Sequence, residues 1–338
     1  MASIFNSNYV ALGIAWTFGI IGTLANIIAL ITAKAQIQRL KAVSTISSPM
    51  VYSIRNPIKH QTFLIFMINL AISDLFGSLY LLLMGSSDLY SRLDNLEVAN
   101  ASNSISNSTP VDIAWPYHPT CYVARSLLIL SISESTTLTV LIATERYMLV
   151  MRPFSNHNHI TPKRAVIQSV ISWNASIVLA TTCNIIAAKT LLPPPSRYTY
   201  RYHNLCYIDN INNSSVRSFF LSMIVLGLIS HVIIICTYII IACKFHYGPD
   251  RRLRTIYHSR AKLPKKAVYL AYTIGFVNFI TWFPAFAVGL IVFCNYQFLV
   301  DNILFQDVIA IIYLLHQTKC IINPIIFIIS SRKKFSIC

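Results

Sequence analysis

Thr144-Glu145-Arg146-Tyr147 lies near the end of a long apolar stretch, residues 121–150, and its setting decides the fold. An acid and a base stand side by side where the apolar run gives out. Ionisable groups at membrane depth are costly and usually functional, so the pair asks for a reason. Working outward, six more stretches of helix length flank it, near 9–33, 62–86, 165–187, 218–243, 267–294 and 303–330. With 55% hydrophobic against 11% charged residues in 338, no soluble core could hide them. Runs of about 18 or more apolar residues are long enough to cross a bilayer. None shows the alternation of a barrel strand, and backbone groups in hydrocarbon must be satisfied within the segment. The expected fold is an all-α membrane protein, a seven-transmembrane helix bundle, with lipid as solvent. Residues 1–8 form a short outer segment and 331–338 a short inner tail. The first span is retained rather than cleaved, since no basic residue precedes it and it exceeds a signal peptide's apolar core.

Basic residues set the orientation. Lys34, Arg39, Lys41, Arg55 and Lys59 fill the first connection, Arg152, Lys163 and Arg164 the third, and Arg251, Arg252, Arg254, Arg260, Lys262, Lys265 and Lys266 the fifth. Asp88, Asp94, Glu97, Asp112, Asp209 and Asp301 fall in the alternate loops. The basic side is therefore cytoplasmic, the amino terminus outside and the carboxyl terminus inside. The net charge of +16 reads as topology and attraction to anionic lipid. No basic module with interleaved aromatics points to nucleic acid. Glycosylation acceptors at Asn100, Asn107, Asn212 and Asn213 fall in loops placed outside, while Asn174-Ala-Ser176 lies within a span and should stay bare.

Cys183, Cys236, Cys243 and Cys320 sit in apolar runs and read as small buried hydrophobes. Cys121 and Cys206 both face the oxidising side, where a disulfide can form, and Cys294 is a further thiol near that side. Cys338, behind a basic run, is either a palmitoylation site or an unmodified end.

Asp74 puts a carboxylate in the middle of span two, either neutral and tolerated by packing or paired and functional. Asn26, Ser135 and Asn323 stand at similar depth, which suggests a polar core tying the helices together. Lys319 precedes Asn323 by four residues and shares its helix face. Asp74 or Glu134 can supply its counter-charge; the expectation is a Lys319–Asp74 pair, the alternative a neutral lysine. Trp282-Phe283-Pro284 and Asn323-Pro324 put a proline inside spans six and seven, each a hinge because a backbone hydrogen bond is lost.

Taken in order, these motifs resemble those of rhodopsin-like (class A) G-protein-coupled receptors over nearly the whole chain. The resemblance implies roles residue by residue. Asn26, Asp74 and Ser135 match the polar core, Trp173 the span-four tryptophan, and Cys121 with Cys206 the outer disulfide. Glu145, Arg146 and Tyr147 match the triplet that engages a G protein. Tyr238, Trp282, Pro284, Asn323, Pro324 and Phe327 fall on the switch positions. It also implies a ligand pocket near Arg125, Leu128, Phe283, His316 and Gln317, an outward swing of span six about Pro284, a heterotrimeric G protein as partner and the plasma membrane as location.

The departures are as informative. Phe327 stands where the family usually has tyrosine, so a hydroxyl bridge toward Tyr238 is lost. Asn278 replaces a phenylalanine beneath Trp282, Ser230 replaces the span-five proline, and Lys319 replaces a small polar residue of the sodium pocket. Pro264, Lys265 and Lys266 offer Arg146 no carboxylate, which predicts a loosened inactive state and basal signalling. Leu128 in place of an aspartate argues against an amine ligand, and Gln317 in place of a lysine against retinal. Residues 198–207 alternate aromatic and polar like a small hairpin, favouring a peptide. No cofactor or metal is implied; His316 and Gln317 read as hydrogen-bonding core residues, His157 and His159 as solvated. No internal repeat supports a transporter, and no catalytic motif an enzyme. A receptor-shaped protein that binds without coupling is the remaining alternative.

Overall fold

A computed structural model describes residues 4–5, 8–46, 55–101, 118–151, 160–190, 205–206, 213–247, 262–295 and 302–332. Each apolar run becomes a helix that outlasts the run itself. The helices are α1 (Tyr9–Ile46), α2 (Arg55–Ala101), α3 (Pro119–Met151), α4 (Pro162–Thr190), α5 (Ser214–Tyr247) and α6 (Lys262–Cys294). The seventh span is broken into α7 (Ile303–Leu315), a 3-10 turn (His316–Thr318) and α8 (Lys319–Arg332). Among the described residues all regular structure is helical, and seven spans are long and apolar enough to cross a membrane.

Local chemistry explains where the helices begin. The Asn8 and Asn302 side-chain oxygens accept from Ala11 N and Phe305 N, both at 3.0 Å, and the Asn213 oxygen accepts from Ser215 N at 2.9 Å. Such caps satisfy backbone donors that a first turn leaves unpaired. Pro119 and Pro162 open their helices, where a missing N–H costs nothing. Within the spans Thr32, Thr144 and Thr182 donate to carbonyls one turn back, so their hydroxyls are satisfied even against an apolar medium.

The bundle is apolar outside as well as in. Leu24 and Ile31 on α1, Ile171 and Val178 on α4, and Leu226 and Val232 on α5 are all exposed, as a lipid solvent requires. α3 runs through the middle, packed against α2, α4, α5 and α6. It buries Ser131, Glu134, Ser135, Glu145 and Arg146, so the polar residues converge on one axis.

Both span-interior prolines lie within continuous helix, Pro284 in α6 and Pro324 in α8. The irregularity in span seven falls earlier, at His316–Thr318. Pro324 has no N–H to offer the carbonyl one turn back, that of Cys320. Asn26 of α1 takes the vacancy, donating from Nδ2 to Cys320 O at 2.8 Å and to Gly22 O at 2.8 Å. Gly22 permits this approach: a Cβ there would collide with Ser78 Oγ and lie 3.5 Å from Cys320 O.

Several sequence expectations fall outside the described residues: Asn107, Asn212, the hairpin-like stretch save 205–206, Arg152, the basic run 251–261 and Cys338. The side chains of Asn100, Lys262, Lys265 and Lys266 do so too.

Candidate functional site

At one end of the bundle, two helices clamp residues 205–206. A disulfide joins Cys121 to Cys206, with Cα atoms 5.4 Å apart. Tyr80 of α2 donates its hydroxyl to Leu205 O at 2.9 Å. Arg125 of α3, fully buried, donates from Nε to Cys206 O at 3.1 Å and from Nη1 to Asn184 Oδ1 at 3.4 Å. Cys206 is held at φ 55°, a left-handed conformation uncommon for a residue with a side chain. Three separate anchors on two residues explain how it persists.

Deeper in, the polar core assembles around α2 and α8. Asn323 Nδ2 donates to Asp74 Oδ2 at 2.9 Å. Lys319, wholly buried, points across to α3 and donates from Nζ to Ser131 O at 3.3 Å. Ser73 reaches the same carbonyl at 3.0 Å. Ser135 faces Asp74, although its hydroxyl makes no well-formed hydrogen bond. Gly77 leaves room for this convergence. A Cβ at that position would lie 2.6 Å from Cys320 Sγ, 2.6 Å from Ser131 Oγ and 2.7 Å from Gln317 Oε1.

Beside it is an aromatic cluster between α5, α6 and the 3-10 turn. Trp282 stacks on Phe286 with centroids 4.8 Å apart and lies 4.1 Å from the ring of His316. His231 meets both Trp282 and Phe286 edge-on. Asn278, one turn from Trp282, donates to Thr139 Oγ1 at 3.1 Å and so ties α6 to α3.

At the opposite end Arg146 is 3% exposed. Its Nε lies 2.8 Å from Glu145 Oε2, a contact too poorly aligned for a hydrogen bond, and its guanidinium sits 4.2 Å over the Phe63 ring. Arg146 Nη2 and the Tyr238 hydroxyl are buried with no hydrogen-bond partner among the described residues. Tyr238 shares its apolar cluster with Phe327, which has no oxygen to offer.

The pattern of the family described as 7 transmembrane receptor (rhodopsin family) matches residues 50–327. The chain belongs to that family. It is a multi-pass membrane protein and a receptor by family, with a disulfide where the motif order implied one. No curated protein matches it.

Against this receptor frame, four sequence expectations need correction. Cys236 and Cys243 are exposed on the outer face of α5 rather than buried, while Cys183 and Cys320 are buried as expected. Lys319 and Asp74 form no ion pair within contact distance. Asn323 fills one carboxylate oxygen, while the long lysine stem carries its ammonium to α3. Phe283 lines no pocket: it is 60% exposed on the outer face of α6, beside Phe279. Trp282 and Phe286, four apart, turn inward together, and the residue next to Trp282 is carried round by the helical repeat. Arg125 is not an open pocket wall either, since the loop carbonyl covers it. Leu128, His316 and Gln317 are buried in the interior.

Glu134, considered as a partner for Lys319, instead faces α4, where Ser172 and Ser176 donate to Oε2 at 2.7 and 3.0 Å. The spacing of those serines, on one helix face, was a usable signal. Trp173 donates to Asn69 Oδ1 at 2.9 Å, joining α4 to α2. The seating of Ile4 and Phe5 had no signal at all.

Proposed function

We propose that this receptor passes an extracellular signal to a heterotrimeric G protein at the plasma membrane, with a peptide as the favoured ligand class. On this reading the disulfide end faces outside and the Arg146 end faces the cytosol. A ligand shifts the bundle by preferring one of two states. α6 swings away from α3, and a cleft opens at Arg146 for a helix of the G protein.

The observation that carries this reading is how lightly Arg146 is held. Its charged neighbour is Glu145 on the same turn, and the start of α6, Lys262-Leu-Pro-Lys-Lys266, has no carboxylate to latch it. Among the described residues, the contact that must break between α3 and α6 includes the Asn278–Thr139 hydrogen bond together with apolar packing. Basal activity follows.

Ligand-free recruitment of G proteins in cells is the test, with surface expression verified and several G-protein classes tried. The receptor should recruit one above the untransfected level, and Arg146→Ala should abolish it. Recruitment equal to untransfected cells would favour the second reading, a receptor that binds without coupling. The Tyr238 hydroxyl, without a partner among the described residues and in one apolar cluster with Phe327, supports that second reading, because Phe327 offers no oxygen for a polar bridge at the inner end.

A further inference from the structure

The segment before α1 is not idle. Ile4 is 3% exposed and Phe5 not at all. They belong to the buried cluster formed by Tyr80, Met84, Cys121, Leu128, Leu205 and Leu314, at the disulfide end of α2, α3 and the seventh span. The backbone of Phe5 is engaged as well. Its N–H donates to Asp88 Oδ1 at 3.3 Å, and its carbonyl accepts from Asn8 N at 2.8 Å in a turn that leads into α1. Asp88 is itself fully buried, with Arg92 Nε at 2.8 Å from its other oxygen and the Arg92 guanidinium 5.4 Å over the Tyr9 ring.

An aromatic side chain sunk in an apolar hollow, with its main-chain N–H on a buried carboxylate, is how a peptide residue is held by a receptor. Tyr80, Met84 and Asp88 follow at intervals of four and so line one face of α2. The hollow therefore has an apolar floor and an acidic lip.

We infer that this hollow is a ligand subsite, that Phe5 is its tethered occupant, and that an external ligand enters by replacing it with its own bulky apolar or aromatic residue whose N–H meets Asp88. The inference deepens the proposed function and rests on its placing of the disulfide end outside. A tether keeps its end group at an effective concentration near millimolar, so Phe5 competes with any incoming ligand without needing high intrinsic affinity. The subsite lies toward α1, α2 and the seventh span, away from Phe283. It requires of a peptide one hydrophobic anchor and a free main-chain donor beside it.

Thiol labelling on intact cells tests this without reference to G-protein coupling. Met84→Cys in a Cys294→Ser background places a thiol one turn below Asp88. A membrane-impermeant methanethiosulfonate–biotin reagent then reads only receptor at the surface. With Phe5 present, labelling should be slow. With Phe5→Ala it should quicken about ten-fold, and with Asp88→Asn, which weakens the main-chain contact, by about three-fold, as expected when a tethered competitor is lost or loosened. A synthetic peptide of residues Ala2–Asn8 at millimolar concentration should restore protection to the Phe5→Ala receptor, and its Phe→Ala version should not. Native Cys294, exposed near the same end, is the orientation control. If it stays unlabelled, the outward placing fails, and the inference with it. If it labels while Met84→Cys reacts at one rate with and without Phe5, the subsite is refuted and the receptor reading stands.

Discussion

The two ends of this bundle are built on opposite plans. At the disulfide end, one covalent bond, hydrogen bonds donated by Tyr80 and Arg125 and one accepted by Asp88 fasten two separate pieces of chain onto the helices. At the Arg146 end the helices are held by an apolar cluster of Phe63, Leu70, Ile142, Tyr238, Ala271 and Phe327, with polar atoms left unmatched. A fastened end keeps its shape while an apolar contact between helices can slide and repack at small cost. On the function proposed above, recognition would belong to the first end and movement to the second.

Four changes test that contrast. Cys121→Ser should have the largest effect, since losing a native disulfide costs about 2–5 kcal/mol. A sharp fall in surface expression and in the melting temperature of purified receptor would show it; an unchanged melting temperature would remove the covalent clamp from the account. Arg125→Leu comes next. It strips a buried, charged donor from Cys206 O and Asn184, a loss of about 1.5–3 kcal/mol. Thermal denaturation with the disulfide intact measures it.

Asn278→Ala, midway between the two ends, should cost only about 1 kcal/mol, the usual net worth of one hydrogen bond. It should nevertheless raise basal signalling, because it cuts the tie between α6 and α3. A lower basal signal at equal expression would overturn the movement assigned to the Arg146 end. Smallest is Phe327→Tyr. It offers the Tyr238 hydroxyl a partner and should change stability by under about 1 kcal/mol while prolonging the coupled state. A G-protein dissociation assay reads this; no change in lifetime would mean the two rings do not approach.

The span count and motif order were legible because length and polarity alone decide what can cross a bilayer. Reading inward from outward faces was harder. Lipid is as apolar as a protein core, so Phe283 facing out and Trp282 facing in look alike in sequence. Long charged side chains misled for another reason. Lys319 donates to a backbone carbonyl across a helix gap, and so does Arg125 besides its bond to Asn184, and a carbonyl is a group every residue owns. Asp74 and Asn323 were legible as core members, but not which of them would meet. Ile4 and Phe5, a short apolar pair among polar residues, have no periodicity to read, and only the fold reveals a hollow that fits them.

One consequence of the Pro324 vacancy concerns the order of assembly. Asn26 is synthesised 294 residues before the Cys320 carbonyl it meets. α1 therefore waits in lipid, its amide bonded within its own turn to Gly22 O, until α8 arrives with the second acceptor. Chains interrupted before Cys320 should leave that seam open, and the cell's quality control should retain them.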